Sequence, residues 1–196
     1  MAIGLFAQPW WVNLLLLVPP LAWFSWRRTG ISIAARELLV AGVFAASFGF
    51  VEAVVVVYLR AATGLLPGYQ GTLSEVVRRS GEFYLQSQAV TQFPRSLLIL
   101  EVLREAATIL MLLTVALLAS AKSGARFAMF LWTFAIWDIA YYAALWATVR
   151  WPHSLADPDV LFLIPVPWFS PVWFPLLVSA MALGAVLSGR TTPAKS

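Results

Sequence analysis

Residues 94–121 read PRSLLILEVLREAATILMLLTVALLASA. From Glu105 onward the run is almost unbroken apolar, and its leading SLLIL makes it long enough to cross a bilayer, which takes about 20 residues of helix. Glu101, Arg104 and Glu105 interrupt it at spacings of three and four, so they share one helical face. A charged side chain at the centre of a membrane helix costs roughly 2.5–3.5 kcal/mol on insertion scales. A span that carries three must pair or hydrate them. The stretch therefore marks a membrane protein and a candidate site together.

The rest of the composition agrees. The chain has 196 residues, 61% hydrophobic and 11% charged, against about 25% charged in soluble domains. The apolar residues come in long runs, which predicts an all-α polytopic membrane protein folded as one transmembrane domain over residues 1–196. A β-barrel would need alternating segments of about ten residues, and none are seen. The net charge of +4 needs no nucleic acid to explain it, because the basic residues flank the spans. With no cysteine, disulfides, iron–sulfur clusters and thiolate metal sites are excluded.

Five spans are expected, at about 10–26, 38–59, 96–121, 127–149 and 172–187. The first ends at Arg27 and Arg28, and Pro19 and Pro20 should kink or break it. Its uncharged start and the basic pair behind it argue against a cleaved signal peptide. The second carries Gly42, Ala46, Gly49 and Ala53 at spacings of three and four. Such a small-residue stripe lets a neighbouring helix approach closely, and Glu52 lies beside it. Residues 61–93 form the long polar connector, in which 73–84 could make an amphipathic surface helix or a lid. The fourth span has Asp138 near its centre, and Tyr141 and Tyr142 could donate hydrogen bonds to it. In the segment 151–175, prolines at 152, 158, 165, 167, 171 and 175 forbid a continuous helix. An interfacial or re-entrant loop is expected there, carrying His153, Asp157 and Asp159. Lys and Arg distribution favours an outer N-terminus and an inner C-terminus.

Helical rise places the acids by depth. Glu52 lies roughly 12 Å below the outer end of its span, Glu101 roughly 9 Å, Glu105 roughly 15 Å and Asp138 roughly 18 Å, at 1.5 Å per residue. Four acids on three spans thus occupy the outer half, with Arg104 alone to balance them. A buried carboxylate left ionised and unpaired costs several kcal/mol, so protons or a cation must join the cluster. Three readings follow. One is a site that binds or relays a proton, cation or small ligand through Glu52, Glu101, Arg104, Glu105, Asp138, Tyr141 and Asp159. Another is a structural polar core in a scaffold or complex subunit, with a membrane-protein partner. The third is a membrane enzyme using a carboxylate pair on a lipid-like substrate. No cofactor is expected. Bundle di-iron sites want Glu-x-x-His, and here an Arg stands where the His should be. The single His153 lies in the loop, which disfavours zinc, and only an oxygen-ligated Mg²⁺ or Ca²⁺ remains conceivable. No phosphate loop, nucleophile elbow or haem motif occurs.

Glu101, Arg104, Glu105 and Thr108, then Trp137-Asp138, Tyr141-Tyr142, Trp151-Pro152, Ser154-Leu155, and Asp159 with LFLIPVPW and Pro171-Val172 form a pattern spread over residues 52–175. In these residues the chain resembles an uncharacterised family of small bacterial polytopic inner-membrane proteins. The resemblance implies a bacterial inner membrane and nothing about substrate.

Overall fold

The computed structural model describes residues 6–62, 95–120 and 122–191. The expected amphipathic connector lies outside the described residues, apart from the helical end of the second span. A 3₁₀ helix, Trp10–Leu17, runs directly into α1, Val18–Thr29. After the short strand β1, Ile31–Ser32, come α2 at Ala35–Ala62, α3 at Arg95–Ala119 and α4 at Ser123–Val149. A hairpin of β2, Pro158–Phe162, and β3, Trp168–Pro171, precedes α5 at Trp173–Gly189 and β4 at Arg190–Thr191.

Among the described residues three helices, α2, α3 and α4, are long and apolar enough to cross a membrane. The expectation of five equal spans needs refining at both ends of the chain. α5 is apolar but has 17 residues, and the first run is compound. Pro19 and Pro20 neither kink nor break a helix: they occupy the first turn of α1, where backbone N–H groups have no intrahelical partner to lose. The change of helix type falls just before them. Both end elements nevertheless run between the same two ends of the molecule. Gln8 exchanges backbone hydrogen bonds of 2.7 Å with Phe169 at one end, and β1 pairs in parallel with β4 at the other. Gly30 makes that turn possible. It caps α1 with φ 67° through its N–H to the Trp26 carbonyl, a conformation glycine adopts without penalty.

α4 is the hub: α2, α3 and α5 all pack on it, and α1 packs on α5. α2 and α4 meet along a seam of small residues. Ala45 and Ala53 are fully buried there, with Ala45 rather than the expected Ala46 completing the stripe. At Gly49 an added Cβ would lie 2.4 Å from the Trp137 carbonyl oxygen, so the two backbones touch and only glycine fits. The Trp132 indole N–H donates to the Leu38 carbonyl at 2.8 Å and ties the same pair together lower down. The polarity is inverted relative to a water-soluble domain. Leu39 is 67% and Leu118 88% exposed, while Glu52 is 4% and Asp159 1% exposed. An apolar exterior of this kind suits lipid, whose tails are as apolar as leucine.

The prolines of 151–175 build a hairpin, not a loop. Pro158 and Pro171 face each other at its open end, where the ladder loses little from their missing N–H. Gln8 covers the outer edge of β3, and Pro175 sits in the first turn of α5. Irregular backbone at membrane depth is tolerated only against protein or water, and here the hairpin lies against α3, α4 and α5 as the wall of a cavity.

Candidate functional site

On α3 the spacing of three and four puts Glu101, Arg104, Glu105 and Thr108 on one face, and Glu101, Glu105 and Thr108 are buried. That face meets α2 one turn beyond the Gly49 contact. The Arg104 guanidinium holds Glu101 Oε2 through both Nε, at 3.0 Å, and Nη2, at 2.8 Å. Its Nη1 is paired with Glu52 Oε2. The Thr108 hydroxyl lies 3.0 Å from the other Glu52 oxygen. One guanidinium thus joins two carboxylates from two helices. The planar fork suits this better than a lysine ammonium would.

Glu105, the next acid on the face, turns to the hairpin: the Leu163 backbone N–H donates to Glu105 Oε2 at 2.7 Å. Glu105 is ten residues from Arg95, so the hairpin tip reaches roughly 15 Å along α3. Asp138 on α4 accepts from the Ser179 hydroxyl of α5 at 2.8 Å. Asp159 of β2 accepts from the Tyr142 hydroxyl and, at 2.8 Å, from the Val160 N–H. The expected donation from Tyr142 to Asp138 is therefore corrected. The Asp138 side chain finds the helix behind it, and Tyr142 reaches past it to the hairpin.

All of these groups line one cavity of about 690 Å³. The expected residues Glu52, Glu101, Arg104, Glu105, Asp138, Tyr141 and Asp159 all border it. Asp157 does not. It closes its own turn by accepting from the His153 and Ser154 N–H groups at 2.8 and 3.2 Å. His153 is exposed beside it, away from the acids. Among the described residues that line the cavity, five carboxyl groups face one cation, Arg104. No group of three or more His, Cys, Asp or Glu among the described residues is arranged to hold a metal ion.

The remaining walls are apolar and aromatic. Trp137 stacks on Tyr141 with ring centres 6.1 Å apart, and Phe162 of the hairpin lies 6.3 Å from Phe134 and 5.5 Å from Trp168. The Trp137 and Trp168 indole N–H groups are buried without a hydrogen-bond partner. Farther from the acids the walls are Leu15 and Val18 on one side and Ile109 and Leu110 on the other. Those two sides belong to elements that pack on α5 and on α4 respectively. Sequence reasoning passed over Ser179 and the Leu163 N–H. A lone serine within the apolar run of α5 was the signal for the first, and the backbone amide left none.

No protein-family model matches the chain, and neither a curated protein nor a solved structure matches it.

Proposed function

We propose that this chain is a multi-pass membrane protein that binds a small amphiphilic ligand inside its helix bundle. The observation that carries the reading is the shape and lining of the cavity. Its volume, about 690 Å³, falls within the roughly 300–1,000 Å³ of sites that enclose one small molecule. Most of its wall is apolar, and a few polar groups converge on one region, the pattern that orients a ligand. A bare proton or metal path needs a file of polar groups or water, not a wide aromatic chamber. A purely structural polar core would fill its space with side chains, as protein interiors do. The three expected readings thus narrow to ligand binding, with the Glu52–Arg104–Glu101 network as a rigid floor beneath the exposed chemistry of Glu105 and Asp138.

Native mass spectrometry of protein extracted from its membrane tests this. Wild type is expected to retain a small-molecule adduct, and Val178→Trp, which fills the cavity from α5, is expected to release it while still folding. Equal occupancy in the two proteins, or no adduct in wild type, overturns the reading.

The site belongs in our reading to a bacterial inner membrane, with the N-terminus and hairpin outside and the C-terminus inside. The chain has no cysteine of its own, so single substitutions report cleanly. In intact spheroplasts an impermeant maleimide should label Ser154→Cys, beside the hairpin, and spare Ser32→Cys, in β1 at the other end. The reverse labelling would invert the orientation.

A further inference from the structure

The hydrogen bonds inside the cavity leave a specific set of groups unsatisfied, and that set describes a ligand head. Arg104 spends its positive charge on Glu52 and Glu101, so an anionic head finds no unneutralised cation among the described lining residues. Glu105 uses Oε2 for the Leu163 N–H, and Asp138 uses Oδ2 for the Ser179 hydroxyl. Glu105 Oε1 and Asp138 Oδ1 remain as acceptors with no partner among the described residues. Both carboxyl groups act as acceptors in the bonds they make, the role of an ionised carboxylate. Beside them stands Trp137, 7% exposed, with an indole N–H that donates to nothing. An ammonium group satisfies open carboxylate oxygens and the aromatic faces of Trp137 and Tyr141 at once. An unpartnered indole N–H asks for a neutral oxygen next to it.

Resting on the ligand-binding reading, we propose that the occupant is a lipophilic amine. Its single apolar chain lies between the Leu15–Val18 and Ile109–Leu110 walls. Its ammonium is held by Glu105 and Asp138, and a hydroxyl oxygen beside the nitrogen accepts from the Trp137 indole. The chain reaches the cavity from the bilayer. The walls at that end are apolar, and neighbouring Leu14, Leu17 and Leu110 are exposed on the outer surface.

Three probes with the same chain separate the possibilities: N-dodecylethanolamine, dodecanol and dodecanoate. Each is titrated into the purified protein in neutral phosphatidylcholine nanodiscs, and occupancy is read by native mass spectrometry. The amine is expected to bind at least about tenfold more tightly than dodecanol, as one or two charge-assisted hydrogen bonds give, and dodecanoate most weakly. Glu105→Gln and Asp138→Asn should each erode the amine's advantage while leaving dodecanol binding unchanged, which also shows that the cavity is intact. Trp137→Phe should narrow the gap between N-dodecylethanolamine and dodecylamine. Dodecanol or dodecanoate binding as tightly as the amine overturns this inference and leaves ligand binding standing. An amine preference that survives in both carboxylate variants overturns the assignment of its head to them. Saturable binding by none of the probes overturns the inference, and the adduct experiment then decides the wider reading independently.

Discussion

Arg104→Gln is expected to destabilise the folded chain by about 3 kcal/mol, the lower end of what breaking a buried ion pair costs. The lower end applies because the guanidinium side chain keeps 24% exposure while the Glu52 carboxylate keeps 6%. The loss does not come from Arg104 itself. It comes from leaving Glu52 and Glu101 in a water-poor interior with no positive partner, each desolvated and facing the other. Equilibrium unfolding in mixed micelles measures it. The double variant Arg104→Gln/Glu101→Gln should recover part of the loss, because one of the two orphaned charges is removed with its partner. Arg104→Lys should recover less than its conserved charge suggests. A lysine ammonium cannot reproduce the fork that places Nε and Nη2 on Glu101 while Nη1 holds Glu52. If Arg104→Gln unfolded at the wild-type midpoint, the pairing of α2 with α3 through charge would be wrong.

The second large effect belongs to a residue with no side chain. Gly49→Ala is expected to cost about 3 kcal/mol, the upper end of the range for overpacking. The new Cβ would meet the Trp137 carbonyl oxygen at 2.4 Å, the Ala140 methyl at 3.0 Å and the Tyr141 nitrogen at 3.1 Å. Two of those are backbone atoms of α4, which cannot rotate aside, so α2 must move away. Glu52 lies less than one turn further along α2 and would move with it, away from Arg104. The same variant should therefore lose ligand occupancy together with stability. Gly184→Ala provides the contrast. Nothing lies within 4 Å of the position its Cβ would take, and alanine is the better helix former by about 1 kcal/mol. A neutral to slightly stabilising result is expected there. Equal effects at the two glycines would show that the close approach of α2 to α4 is not what holds the seam.

The spans were legible because each is an apolar run closed by basic residues, and burial of such a run needs no partner to be recognised. The acids were legible for the opposite reason: Glu52, Glu101, Glu105 and Asp138 each interrupt a run at a cost that must be met somewhere. Their convergence on one cavity follows from the depth that helical rise assigns them. The hairpin was not legible as strands. Its prolines at 158, 165, 167 and 171 erase the alternation that marks a strand, and its stabilising contacts come from Gln8, Tyr142 and Glu105, far away in the chain. Ser179 and the Leu163 amide escaped notice because a hydroxyl or a backbone N–H carries no charge whose burial demands an explanation.

Hydrophobic length and the cost of buried charge are properties of residues one at a time, so the amino-acid order alone specifies a polytopic helical membrane protein and the ionisable groups that must meet inside it. Who meets whom is a property of pairs of elements. Arg104 reaches Glu52 because α2 lies against α4 at Gly49, Asp138 reaches Ser179 because α5 flanks α4, and Glu105 reaches the hairpin because the chain folds back between the helices. These distances depend on helix rotation and approach to within an ångström or two, and no hydropathy pattern carries that information.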